Sequence, residues 1–329
     1  MKFVSYKEGK ATRLALLVHD IVIDLEHAYH AAKDSVRFTL NSAESDMVRF
    51  LRMGEAAMAD ARLIEQWFTS NRDTVQIGKK LSEVTLVSPI PRPSSMRDGY
   101  AFKQHVEAAR RNRGVEMIPE FYEIPIFYFT NHQAVFGPGA IPVRELHLGK
   151  LDFELECAIV IGKEGRDISA QDADDYVAGY MVMNDWSARE LQMQEMKLNL
   201  GPAKGKDFAT SLGPWMVTRD ELASRRIETP NGETYDLEMT AFVNGTKVSE
   251  GNVKDMTWTF AQIIERASYG VTLYPGDVIG SGTCGTGCFL ELNGSKVYDP
   301  AWWLANGDVV ECSISMLGTL TNTVELTRP

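Results

Sequence analysis

Carboxylates occupy every second position at the start of "LDFELECAIVIG", residues 151–162, where Asp152, Glu154 and Glu156 alternate with Phe153, Leu155 and Cys157. In an extended strand, residues i and i+2 point to the same side, about 6–7 Å apart. Read as a strand, the segment aims Glu154 and Glu156 the same way, with Asp152 beside them. Such a row is either a solvated edge face or one wall of a site where a cation cancels the repulsion. Two further acids stand where elements change. Asp185 closes the strand-like "VAGYMVMND", and Asp98 in "MRDGYAF" follows a proline-rich connection. A set of oxygens alone suits Mg²⁺, Ca²⁺ or Mn²⁺ rather than zinc. Spacing by itself does not bring the four acids together.

Other reactive side chains follow. "DWSARELQMQEM" reads as a helix on which Asp185, Arg189 and Gln192, spaced by four and three, share one face. That face offers a carboxylate, a cation and an amide to one volume, or it is the polar side of an ordinary surface helix. His105 lies seven residues after Asp98, on the same side if the segment is helical; by itself a lone histidine is more often structural than catalytic. "GKDFATSLGP" holds Lys206 and Thr210 in a glycine-flanked segment, whereas "GSGTCGTGC" lacks the Gly-Lys-Ser/Thr ending of a phosphate loop. The latter reads as a tight turn where backbone approaches a ligand. Trp302 and Trp303 read as packing.

The elements that must position these groups are mostly strands. "KFVSYK", "RLALLV" and "DIVIDL" are short strands, followed by a helical stretch, "SAESDMVRFLRMGEAAMADARLIEQWF", with apolar residues at spacings of three and four. "LSEVTLVSPIPRPSSM" reads as a strand running into a proline-rich connection, which places a boundary near residues 84–92. Residues 1–85 then form a small α+β N-terminal domain and residues 86–329 the domain that carries the chemistry. In that part "LDFELECAIVIG", "VAGYMVMND", "LEMTAFVNGTKVS", "GDVIGSG", "CFLELNGSKV" and "GDVVECSISML" read as strands, with "VNGTKV" and "LNGSKV" as hairpin signals. Helices are expected in "AFKQHVEAARRNR", "WSARELQMQEM" and "TFAQIIERAS". Regular βα alternation is missing, so a mainly β, α+β class is expected rather than a doubly wound sheet.

Composition narrows the function classes. A net charge of −11 over 329 residues argues against binding to nucleic-acid phosphates. An anionic substrate would need local Lys and Arg. Cys157, Cys284, Cys288 and Cys312 are too few for a disulfide framework, and the Cys284–Cys288 spacing lacks the paired knuckles of a zinc site. The first residues carry no uninterrupted apolar run of a signal peptide, so a reduced cytoplasmic setting is expected, with no membrane role.

Over roughly residues 85–325 the chain resembles the fumarylacetoacetate hydrolase family. "LDFELE", "MNDWSARELQ", "GKDFATS", "GDVIGSGT" and "FLEL" carry the resemblance, in that order, and "RDGYAFKQH" matches the family's Asp-x-Tyr-x₄-His arrangement of the longer, fumarylacetoacetase-like members. The resemblance implies a mixed β-roll catalytic domain, commonly a homodimer. It implies a Mg²⁺ or Ca²⁺ site, with Mn²⁺ as a further candidate, made by Asp98, Glu154, Glu156 and Asp185. It assigns His105 and Glu291 to a water-activating dyad, with Glu107 as a rival partner. Arg189, Gln192, Lys206 and Thr283 fall on substrate and transition-state contacts, Tyr100 lines the pocket, Thr210 lies near the lysine, and Tyr128 matches a second tyrosine. Asp152 is not carried over. For the arginine that binds the substrate carboxylate, the chain offers Arg110, Arg111 and Arg113.

The activity implied is metal-dependent hydrolysis of a carbon–carbon bond in a 1,3-diketo acid such as fumarylacetoacetate or an acylpyruvate, a reaction of aromatic-compound catabolism. The same site would serve an oxaloacetate-type decarboxylase, or an isomerase or hydratase of 2-hydroxy-dienoates. A non-catalytic, metal-stabilised binding protein is the reading from a different class.

Overall fold

In the computed structural model, which describes residues 1–328, the backbone of the site is one large sheet. Its twelve strands include a path from Lys79–Lys80 through Ile21–Asp24, Ala11–Val18, Lys2–Glu8, Thr210–Val217, Val177–Asp185, Leu155–Ile161, Val278–Gly280 and Met96–Gly99 to Phe127–Phe129. Most pairs are antiparallel, but Val278–Gly280 runs parallel to Met96–Gly99, with Gly280 opposite Asp98. A second sheet of five strands, Thr246–Asn252, Glu238–Val243, Val309–Ile314, Gly318–Leu326 and Gly139–Val143, packs its apolar face against the first. The expected mainly β class with a mixed sheet is what the chain forms.

The middle of the large sheet is explained by its sequence. Leu155–Ile161 is buried at every position, as a strand covered on both faces must be, and it reads as a continuous apolar run after its acids. Val177–Asp185 pairs beside it with Leu155 opposite Asn184. In the hairpin of "VNGTKV", Asn244 and Gly245 both take positive φ, 51° and 77°, as a two-residue turn matched to strand twist requires. Thr259 caps the helix Phe260–Ser268 by accepting from the Gln262 amide.

Several elements differ from expectation. "LDFELECAIVIG" is two strands, not one. Leu151–Asp152 pairs with Ser187–Ala188, and Leu155–Ile161 pairs with Val177–Asp185. The chain breaks between them because the Phe153 amide donates to the side chain of Asp152. "CFLELNGSKV" is a helix over Phe289–Gly294, not a strand and hairpin; Phe289 and Leu292, three apart, are its buried apolar pair. The helix after Asp185 begins at Arg189, four residues later than the reading from Asp185, so Asp185 stands on a strand and not on a shared helical face. Asp98 is likewise on the strand Met96–Gly99, and only His105 is helical, in Lys103–Asn112. In "LSEVTLV" only Leu86–Val87 is strand.

Residues 1–85 carry three helices, Leu25–Ala32, Met47–Arg52 and Glu55–Asn71, behind their strands. Their sheet is continuous with the rest: Phe3 pairs with Met216. Phe3, Leu16, Phe50 and Ile64 share one apolar cluster with Val160, Met181, Leu212 and Val278. All four cysteines are free and buried. Among the described residues, no helix is long and apolar enough to cross a membrane.

Candidate metal centre and active site

Three strands deliver the four acids. Asp98 comes from Met96–Gly99, Glu156 from Leu155–Ile161, Asp185 from the end of Val177–Asp185, and Glu154 from the residue before Leu155. Each offers an oxygen, and these oxygens lie within 4.8 Å of one another. None of the four residues is more than 8% exposed. The solvated-edge reading of the alternating acids is therefore replaced by a buried cluster. Asp98 Oδ1 and Glu156 Oε2 accept from the Gly282 amide at 3.2 and 3.0 Å, so the glycine-rich turn approaches the cluster with its backbone.

Burial, and then the neighbouring carboxylates, push Asp98 and Glu156 well above the usual carboxylate range. Asp185 is raised too, chiefly by burial. Glu154 goes the other way. Burial would raise it, but Lys206 and Arg189 outweigh that and hold it at about 2. Lys206 Nζ donates to Glu154 Oε2 and Asp185 Oδ2, both at 2.6 Å, and Arg189 donates to Glu154 Oε1 at 2.7 Å. Two buried oxygens, Glu156 Oε1 and Asp185 Oδ1, still have no hydrogen-bond partner among the described residues. Orphaned carboxylate oxygens in a buried acid cluster are costly unless a cation meets them. The all-oxygen donor set and these orphans fit a divalent metal ion.

Beside the cluster, His105 Nδ1 and Glu291 Oε2 are 2.7 Å apart and both residues are buried. Glu291 Oε1 accepts from the Thr286 amide at 2.9 Å. Glu107, the rival partner, instead pairs with Lys103 at the surface. It lines a cleft of about 390 Å³ that also reaches Arg111, Thr286 and Glu291. Tyr100 sets its ring edge against His105. Tyr128 donates to Asp185 Oδ2 at 2.7 Å. Gln192 Oε1 accepts from Arg189 at 3.0 Å, which leaves its NH₂ as a donor. Thr210 is buried opposite Asp185 on the neighbouring strand. Thr283 is buried and donates to the Leu155 carbonyl, at the edge of the cluster rather than in it. Arg110, Arg111 and Arg113 lie on the helix Lys103–Asn112 or just past it; Arg111 and Arg113 are exposed, and Arg113 donates to the Ala109 carbonyl.

Some residues that hold the site escaped the sequence reading. Asp152 accepts from Arg189 and from the Phe289 and Leu290 amides; its place in the alternation with Glu154 was the available signal. Glu195 accepts from the amides of Ala203, Lys204 and Gly205, gripping the loop that ends in Lys206. Nothing in its sequence context marked it.

Comparison with known proteins places the chain in a family. The family model described as Fumarylacetoacetate (FAA) hydrolase C-terminal matches residues 94–325. Oxaloacetate tautomerase YisK of Bacillus subtilis is 30% identical, covering 98% of this chain and 100% of that protein. The mitochondrial oxaloacetate tautomerase FAHD2A of Homo sapiens is 33% identical, over 84% of this chain and 79% of that protein. Maleylpyruvate hydrolase from Sphingobium sp. SYK-6, solved in complex with manganese (II) ion and pyruvate, shares the fold with a TM-score of 0.67 at 21% identity, covering 100% of both chains. With a matched family model over most of its length and a full-length relative, the chain belongs to the fumarylacetoacetate hydrolase family of enzymes.

Proposed function

We propose that the protein is a divalent-metal-dependent enzyme that moves a proton on a small 2-oxo acid with a second carbonyl or carboxyl group at the β position. Its reaction interconverts the keto and enol forms of an oxaloacetate-type substrate. One observation carries the reading: a buried histidine, fixed by a carboxylate through one ring nitrogen, stands beside a cation site. Similarity to oxaloacetate tautomerases along the whole chain supports the same substrate class.

Asp98, Glu154, Glu156 and Asp185 would hold Mg²⁺, Mn²⁺ or Ca²⁺. A bound ion supplies Lewis-acid stabilisation of negative charge on a substrate oxygen. The chain's own residues do the rest. Because Glu291 accepts at Nδ1, that nitrogen carries the hydrogen, and Nε2 is the basic atom that takes a proton from the carbon between the two carbonyl groups. Returning the proton to oxygen gives the enol, and the reverse order gives the keto form. Glu291 stabilises the imidazolium in between. Gln192 NH₂, Lys206 and Arg189 are the donors for the oxygen on which charge develops, in a setting where burial strengthens each of them.

Carbon–carbon hydrolysis of a 1,3-diketo acid is the second reading, favoured by the same dyad, which suits proton removal from water as well as from carbon. It needs room for a water and a leaving chain, whereas tautomerisation needs neither, and the site residues are almost wholly buried. Decarboxylation of a β-keto acid requires no proton carrier, so the dyad argues against it. A non-catalytic binding protein would need neither the dyad nor the gripped Lys206.

The test follows ketonisation of enol-oxaloacetate, and pyruvate release from acylpyruvates, with Mn²⁺ or Mg²⁺ and with chelator. Metal-dependent ketonisation is expected, falling about 10²–10⁴-fold in His105→Ala. Acceleration that survives His105→Ala would remove the dyad from the mechanism, and no turnover of either class would leave the binding-protein reading.

A further inference from the structure

We propose that Asp152 is the positioning residue that sets the His105–Glu291 pair and the Arg189 guanidinium with one carboxylate. The inference rests on His105 as the proton carrier. Asp152 is completely buried and lies apart from the acid cluster. Its Oδ1 accepts from the Phe153 amide at 2.9 Å and the Phe289 amide at 2.7 Å. Its Oδ2 accepts from the Leu290 amide at 2.9 Å and from Arg189 Nε at 2.8 Å. Three separate segments converge on two oxygens.

Each of these bonds leads to the chemistry. Phe289 and Leu290 open the helix Phe289–Gly294, and Cys288 at its start makes no side-chain cap of its own. Asp152 caps that helix from a different element. The helix has only six residues, far too few to hold itself in water, so its placement comes from what grips its ends. Glu291 is the next residue after Leu290, and its contact with His105 depends on that placement. On its other side, Asp152 holds Arg189 so that the same guanidinium meets both Glu154 and Gln192. Burial raises the Asp152 pKa against the pull of Arg189 and the two amides, but only a carboxylate can accept from all four donors at once. Asp152 touches no reacting atom and acts through Glu291 and Arg189.

Asp152→Asn tests this. The amide keeps the volume and one acceptor oxygen, but it turns NH₂ toward the Leu290 amide and Arg189 Nε, donor against donor. In the native protein, the hydrogen on His105 Nδ1 should give a far-downfield proton NMR resonance, assigned by its loss in Glu291→Gln. In Asp152→Asn that resonance is expected to shift or vanish and kcat to fall about 100-fold, the scale of an ångström-level misplacement. Mn²⁺ affinity should fall by no more than about tenfold, because Asp152 reaches the four carboxylates only through Arg189 on Glu154, which Lys206 also holds. If the unpaired Arg189 prevents folding, the charge-balanced pair Asp152→Asn with Arg189→Met is used, with the same loss of resonance expected. A native resonance and kcat would overturn the proposal. So would Mn²⁺ affinity collapsing together with the resonance, or failure of both variants to fold, since either assigns Asp152 to the fold alone. Should the native protein turn over no 2-oxo acid, the proposed function fails while the resonance still decides the role of Asp152.

Discussion

Gly280 lies where any side chain would collide with the cation site. A Cβ there would come within 2.8 Å of Asp98 Oδ1 and of Glu156 Oε2. Gly280→Ala is therefore expected to splay these carboxylates and weaken Mn²⁺ binding about tenfold or more, read by calorimetric titration, the scale seen when the groups that support metal ligands are changed. Unchanged affinity would mean that the oxygens have more freedom than their packing implies. At this scale the sequence was informative about residue types and poor about partners. The four acids, His105 and Lys206 stand in distinctive motifs. By contrast, the choice between Glu107 and Glu291 for His105 depended on 186 residues of intervening chain, and no spacing rule reaches that far. Asp152 was visible as an acid but not as a support, because its partners are backbone amides of a helix that the sequence pattern hid.

Between elements, side chains that end one element and start the next carry much of the local order. Asp24 closes the strand Ile21–Asp24 and caps the helix Leu25–Ala32, accepting from the His27 amide at 2.9 Å and from Arg13 at 2.8 and 2.9 Å. Burial would raise its pKa, but Arg13 and the His27 amide outweigh that and hold it below the ordinary aspartate range. A depressed folded-state pKa gives stability that is present above the unfolded value, about 3.9, and is lost as pH falls through the folded one. Asp24→Asn should therefore cost about 1–3 kcal/mol near neutral pH. The gap from the native protein should narrow in urea unfolding as pH falls below the unfolded value and close only as pH passes the lowered folded one. A gap independent of pH would show that Asp24 acts by shape alone. Strands with a continuous apolar run, such as Val177–Asp185, were legible for the reason that they pack. "CFLELNGSKV" was misread because four residues of "FLEL" satisfy both a period of two and a helical turn, and Asn-Gly suits a hairpin and a helix end alike.

Taken whole, the molecule joins its N-terminal part to its site through a common sheet. The strand Thr210–Val217 pairs with Asp185 near one end and with Phe3 near the other, so the cluster shared by Phe3, Leu16, Val160 and Met181 spans the expected boundary. A single unfolding transition is expected in calorimetry, not two. Divalent ions should raise its Tm by binding the folded form, worth about 2.7 kcal/mol at a hundredfold excess over Kd. Chelator should reverse the rise, and two separate transitions of which only one responds to Mn²⁺ would contradict the coupling. The mainly β class was readable from turn residues and strand composition; the continuity of the sheet was not, since strand pairing over some 210 residues leaves no local mark.

The four clustered acids sit buried at or beside strands of the large sheet, while the groups that would meet the rest of a substrate are carried by the helices Lys103–Asn112 and Arg189–Met196 and by the loop that Glu195 grips. Changes in what the enzyme accepts can thus accumulate on those parts at positions other than Arg189 and Lys206, whose bonds to Glu154 and Asp185 tie them to the inorganic centre. A deep mutational scan would see this as two tolerances: near-zero at the strand ends and at His105, Arg189 and Lys206, and generous at their neighbours on the helices and the loop.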